Sequence, residues 1–251
     1  MITLLIDADS MLYTACYKKK ENKDDDGFNK DFEEVKDKFY EKFYEILNTI
    51  DNLGVQISEY KVFLQGTNNF RKYVHPTYKI SRFLKPKPTL LDDLSKCIAK
   101  ELNAFISHGV ETDDTVAATW RYLCETKGVD SVIIASCDKD FKQFPAWIFD
   151  YYNTRMELKK ISEEEARYNL YHQMITGDRG DDVKFLHGVG DVEAIKRLAN
   201  VVSEQRMFMA SYRLFVEKLG VSRARHVWFL SKILLTLQTE GVDIPYEFDA
   251  V

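Results

Sequence analysis

ITLLIDADS, residues 2–10, runs a row of apolar and β-branched side chains straight into two aspartates, Asp7 and Asp9. A run this short and this apolar, closed by polar residues, reads as a strand buried on both faces. Two further stretches share the form. Lys61 to Leu64 leads into Gln65, and Val132 to Ala135 leads past Ser136 and Cys137 to Asp138 and Asp140. Helical patterns lie between them. Phe32, Val35, Phe39, Phe43, Ile46 and Ile50 recur at spacings of three and four, as do Leu91, Leu94, Ile98, Leu102 and Phe105 behind Thr89 as N-cap. A third helix is predicted from about Asp113 to Thr126, stopping at Gly128. The alternation predicts an α/β fold with a mostly parallel central sheet flanked by helices. In such sheets the site lies beyond the C-terminal edge of the strands, where all three strands put their polar ends.

From Ser162 onward the sequence shows helices alone, beginning with a capping box of Ser162 and Glu165. This divides the chain into a core over residues 1–161 and a helical subdomain over 162–251. The segment Lys18 to Lys30, KKKENKDDDGFNK, reads as a solvated, mobile loop. No stretch approaches the roughly 18 uncharged apolar residues of a membrane span, and the N-terminus lacks the basic flank of a signal peptide. Four widely spaced cysteines (Cys16, Cys97, Cys124, Cys137) fit neither a zinc site nor a disulfide framework and point to the cytoplasm.

A net charge of −5 argues against a nucleic-acid partner until the acids are located. Ten of them fall in four clusters: Asp7/Asp9, Glu111/Asp113/Asp114, Asp138/Asp140 and Asp178/Asp181/Asp182. Setting these aside leaves 35 basic residues against 30 acidic ones, a balance of +5. Divalent cations at the clusters would free the remaining surface to hold a polyanion.

Mg²⁺ takes hard oxygen ligands and keeps several waters, so a few rigidly aimed carboxylates suffice. Each cluster alone has a plainer reading. Asp7 and Asp9 can be turn acids, Glu111, Asp113 and Asp114 can complement a helix N-terminus, and Asp138 and Asp140 can belong to a surface turn. Asp178 and Asp181 stand in GDRGDD, ahead of Gly188-Val189-Gly190, where glycines can let backbone amides approach a phosphate or simply make turns. A basic, aromatic stretch carries Arg71, Tyr78, Lys79, Arg82, Lys85 and Lys87. If residues 77–82 are helical, Lys79 and Arg82 share a face and can stabilise charge developing on a phosphate. Together the clusters have the makings of metal-assisted phosphoryl hydrolysis.

The succession DADS, NNFRKYVHPTYKISR, ETDD, SCDKDF, GDRGDD and GVG, over about Ile2 to Leu198, resembles the flap endonuclease and 5′→3′ exonuclease family, most of all its bacteriophage members. The resemblance implies a nuclease core with an arch at about 71–108 and a C-terminal helix–turn–helix subdomain gripping duplex DNA. It implies that Asp7, Glu111, Asp113, Asp114, Asp138 and Asp140 surround one or two Mg²⁺ or Mn²⁺ ions, joined by Asp178 and Asp181 from the second subdomain. By the same resemblance Lys79 and Arg82 engage the scissile phosphate and Tyr78 stacks on a base. Arg71, Lys85 and Lys87 extend the positive DNA track. Gly188 and Gly190 form a hairpin on the duplex backbone, with a monovalent cation such as K⁺.

Two departures stand out. Gln65-Gly66 occupies the end of the second strand, where many members carry Asp, and Asp9 is the candidate replacement. Asp191 and Glu193 follow the hairpin where Lys is common. The function implied is hydrolysis of DNA phosphodiesters by metal-activated water in a monomeric enzyme, on a duplex with a 5′ end or flap or on an RNA–DNA hybrid. A PIN-type ribonuclease and a non-catalytic junction binder are the rival readings.

Overall fold

The computed structural model describes residues 1–20, 25–152 and 156–251. In chain order the core comprises β1 (Ile2–Asp7), α1 (Asp9–Ala15), α2 (Phe32–Asn52), β2 (Ile57–Gln65), α3 (Arg71–Val74), α4 (Ile80–Phe83), α5 (Leu91–Glu101), β3 (Phe105–Ser107), α6 (Thr112–Lys127), β4 (Val132–Ala135), β5 (Trp147–Phe149) and β6 (Leu158–Lys160). The helices α7 (Glu163–Thr176), α8 (Asp191–Leu198), α9 (Glu204–Leu219) and α10 (Val221–Leu235) follow, and β7 (Asp249–Ala250) closes the chain.

The sheet runs β3-β2-β1-β4-β5-β6, parallel except for β6. Alternation along β1 sends Leu4 and Ile6 to one face and Leu5 to the other. The first pair packs with α1, α2 and α5, through Val35, Phe39, Phe43, Ile46 and Ile50 of α2. Leu5 packs with Phe63, Ile134 and, from α6, Val116, Ala117 and Trp120. With both faces covered, polar side chains are tolerated at the strand ends. Ile6 pairs with Ala135 and Asp7 with Phe63, so Asp7, Gln65 and Ser136 leave the sheet at one edge, at the point where the strand order reverses.

A separate apolar cluster, including Tyr171, Leu214, Phe215 and Trp228, holds α7 to α10 together and takes in Tyr78 from the segment before α4. Among the described residues, no helix is long and apolar enough to cross a membrane.

Several expectations are corrected. The chain beyond Ser162 is not purely helical, because β7 returns to pair antiparallel with β2 at Glu59 and Tyr60. Leu90, not Thr89, is the residue before α5, and it makes no side-chain cap. Within the stretch 71–108 expected to form an arch, α5 packs into the core and β3 belongs to the sheet. Of Lys18 to Lys30, residues 21–24 lie outside the described residues. Its ends are tied, by a Tyr17–Phe28 bridge and a bond from the Lys18 amide to the Gly27 carbonyl.

Candidate active site

The end of β4 delivers Asp138 and Asp140 through a short 3-10 turn, and the start of α6 delivers Asp113. One carboxylate oxygen from each lies within 4.8 Å of the others, which suits a single hard cation. Asp7 stands beside them, accepting a bond of 2.8 Å from the Ser136 hydroxyl, which also takes the Asp138 amide at 3.0 Å. Burial, then the charge of Asp9, pushes Asp7 up to about 7. Burial, then Asp138, does the same to Asp140. Burial, then Glu111 and Asp114, raises Asp113 well above the ordinary carboxylate range. Carboxylates crowded to this degree fit a divalent cation well.

The nine acids marked in the sequence separate by their partners. Glu111 is held by Lys79, with the Tyr78 hydroxyl donating at 2.6 Å. Burial would raise the Glu111 pKa, but Lys79 and Arg71 outweigh it and lower it. Asp181 lies 2.8 Å from the same Tyr78 hydroxyl and accepts from Arg82 at 2.8 Å, with Lys79 at 3.5 Å. Asp178 pairs with Lys139 at 2.7 Å. Asp114, fully buried, takes both arms of Arg71, at 2.5 and 2.7 Å. Among the described residues no ion pair reaches Asp7, Asp9, Asp113, Asp138 or Asp140. The chain neutralises four of these nine acids internally, and among the described residues the three convergent ones, with Asp7 and Asp9, have no basic partner.

This sorting corrects four expectations. Asp114 is not open to a metal, because Arg71 and the amides of Glu111 (3.0 Å) and Gln238 (2.7 Å) occupy its oxygens. Arg71 is 1% exposed and cannot lie on a DNA track. Tyr78 is also 1% exposed, so its ring is not available for stacking on a base. Lys79 and Arg82 do not share a helical face either. Lys79 is left-handed at φ +54°, ahead of the short α4, and the two cations meet at Asp181 instead. Lys85 and Lys87 are exposed, Lys87 paired with Asp92 at 2.5 Å.

Asp9 is the first residue of α1 and does not cap it; Ala8 precedes it without a side-chain bond. Its carboxylate accepts from the Gln65 amide at 2.9 Å and the Thr112 hydroxyl at 2.6 Å. The Gln65 side chain accepts from the Thr112 amide at 3.1 Å and donates to the Val110 carbonyl at 3.2 Å. Gln173, which carried no sequence signal, donates to Asp140 at 2.7 Å and Asp178 at 3.2 Å, joining core to helical subdomain. Ser136 and Lys139 lie inside SCDKDF, where only the two aspartates carried a signal. Gly177 carries φ +74°, and a Cβ there would meet the Val183 carbonyl at 2.3 Å, so the turn bearing Asp178 needs glycine. Gly188, at φ +73°, and Gly190 face open space before α8.

Residues 2–175 match the family model described as the 5′-3′ exonuclease N-terminal resolvase-like domain. Among solved structures, the flap endonuclease of bacteriophage T5, in a pseudo-enzyme–product complex with DNA and metal ions, is similar at 16% identity and a TM-score of 0.64, over 95% of this chain and 90% of that one. The catalytic core of Rad2 in complex with DNA substrate aligns at 11% identity and a TM-score of 0.55, over 99% and 83%. Human GEN1 in complex with Holliday junction DNA aligns at 12% and 0.54, over 100% and 64%.

Proposed function

Since the chain belongs to the 5′-3′ exonuclease family, we propose that it is a Mg²⁺-dependent 5′-nuclease that hydrolyses DNA phosphodiesters at a 5′ end or flap. The observation that carries this reading is the convergence of Asp113, Asp138 and Asp140 at the sheet edge, with Lys79 paired to Glu111 two residues before Asp113. A divalent cation bound there supplies Lewis acidity toward a phosphate oxygen and acidifies a water ligand.

The chain's own residues do the rest. Asp113, Asp138, Asp140 and Asp7 aim their carboxylates from rigid strand ends and a helix start, so little reorganisation is needed. Lys79 and Arg82 stand at the rim, exchanging Asp181 and Glu111 for the phosphate that reacts. Lys85 and Lys87, with the exposed rings of Tyr73 and Phe83, offer charge and stacking surface to a single strand. The open backbone at Gly188 and Gly190 supports contact with the duplex. The relatives crystallised with DNA support this choice of substrate. Gln65 does not speak for lost catalysis, because its side chain has a structural task at Thr112 and Val110. Four free thiols support a reducing cytoplasmic setting.

The test is one gel comparing a 5′-flap, a blunt duplex and an RNA–DNA hybrid, with Mg²⁺ and with excess chelator. Cleavage of the DNA substrates with Mg²⁺ alone is expected. Preference for an all-RNA strand, or turnover undiminished in chelator, would overturn the proposal.

A further inference from the structure

Arg71 and Asp114 form a buried ion pair that binds four backbone groups, at the start of α6 and the end of α10. Besides the two bonds to Asp114, the Arg71 Nε donates to the Leu234 carbonyl at 3.0 Å and Nη2 to the Thr236 carbonyl at 2.9 Å. Asp114 in turn accepts the amides of Glu111 and Gln238. In a continuing helix the Gln238 amide would bond the Leu234 carbonyl four residues back. The ion pair takes both partners instead: Arg71 receives the carbonyl and Asp114 the amide. The end of α10 is therefore defined by side chains from α3 and α6, whose positions in sequence are 163 and 124 residues away from theirs.

The other end of the pair is the acid-bearing turn. Asp113, one residue before Asp114, accepts the Asp114 amide at 2.8 Å. It is also one of the three acids that converge. A shift of the first turn of α6 would carry Asp113 away from Asp138 and Asp140, which are fixed independently by β4.

We infer that Arg71 and Asp114 are a positioning pair, which sets the first turn of α6 against β4 and locks it to the end of the helical subdomain's last helix. The inference rests on the nuclease reading for the purpose of the acid site, but its test is metal binding rather than turnover. Lysine cannot replace Arg71, because a single ammonium cannot span both Asp114 oxygens and two carbonyls.

The experiment is Mn²⁺ titration calorimetry on the full chain, for wild type, Arg71→Ala and Arg71→Lys. Both variants are expected to bind Mn²⁺ at least about tenfold more weakly, the loss seen when a residue supporting a metal ligand is removed. Guanidinium at sub-denaturing concentration should restore binding to Arg71→Ala, and methylammonium should not. The salt slope of DNA binding should stay unchanged.

If removal of a buried charge partner prevents folding, the double variant Arg71→Met/Asp114→Leu removes both charges and remains a folded test, again with weakened Mn²⁺ binding. Wild-type Mn²⁺ affinity in a folded variant would reduce the pair to a stability element. A salt slope lower by about one unit would make Arg71 a phosphate contact after all. Wild-type protein that binds Mn²⁺ but cuts no DNA would defeat the nuclease reading and leave the positioning result standing.

Discussion

Protons and divalent cations should compete to stabilise this fold, and the competition can be measured without substrate. Asp7 and Asp140 are each pushed up to about 7, chiefly by burial, against an ordinary value of 3.8. The folded chain thus holds these protons more tightly than the unfolded one. Their stabilising contribution is complete below the unfolded value and is lost as pH rises through about 7. A shift of roughly three units corresponds to on the order of 4 kcal/mol for one such site. Both sites feel Asp138, so the two contributions do not simply add. In a domain of this size 1 kcal/mol moves Tm by roughly 2–4 °C, which places the expected fall on the order of 10 °C.

Acids with lowered values, such as Glu111 and Asp178, have already made their contribution by pH 5 and lose it only in more acid solution. Melting the protein in chelator between pH 5 and pH 8 therefore isolates the raised group. Tm should fall across this window, and Mg²⁺ should raise it most at pH 8, where no proton does the same work. Asp140→Asn should raise the metal-free Tm at pH 8 and flatten the profile. A metal-free Tm that is constant or rising from pH 5 to pH 8 would refute the reasoning.

Three further outcomes are expected. Lys79→Ala and Arg82→Ala should each lower kcat more than they weaken DNA binding, by on the order of a hundredfold or 3 kcal/mol; equal losses would make them plain phosphate contacts. Lys85→Ala with Lys87→Ala should reduce the slope of log affinity against log salt by up to about two units, and an unchanged slope would remove them from the DNA track. Asp9→Asn should cost little stability, since an amide can still accept from Gln65 and bond the Thr112 hydroxyl. If Asp9 contributes charge to the metals, the Mg²⁺ concentration for half-maximal rate should rise sharply, whereas wild-type metal dependence would leave Asp9 a strut alone.

Much of the architecture was legible because the signals were local. Apolar runs ending in acids located β1 and β4, and threefold and fourfold spacing located α2 and α5. The short β3, β5, β6 and β7 carry little pattern of their own; Leu158–Lys160 leaves both lysines exposed and is a strand because β5 pairs with it. At the site the acids announced themselves, but their division of labour did not. FRKY reads as a solvated basic stretch, and what buries Arg71 is Asp114 and the end of α10, neither of them near in sequence. Tyr78 likewise owes its burial to packing with the helical subdomain. No residue type announces that Lys79 will take a left-handed backbone before α4.

The absent acid at the end of β2 takes on a physical sense beside Asp9. The corner between β2 and α6 receives the Asp9 carboxylate, and burial already raises its pKa even with bonds from Thr112 and Gln65. A second carboxylate at position 65 would face Asp9, with an unscreened repulsion of about 4 kcal/mol at 4 Å and an effective dielectric of 20. It would also lose a bond, for a carboxylate cannot donate to the Val110 carbonyl as the Gln65 amide does. Glutamine satisfies both ends of the gap, accepting from Thr112 and donating to Val110, while adding no charge. Gln65 and Asp9 are thus a matched choice. The corner accommodates one carboxylate, and in this chain it enters from the start of α1, just past the first strand, rather than from the end of the second.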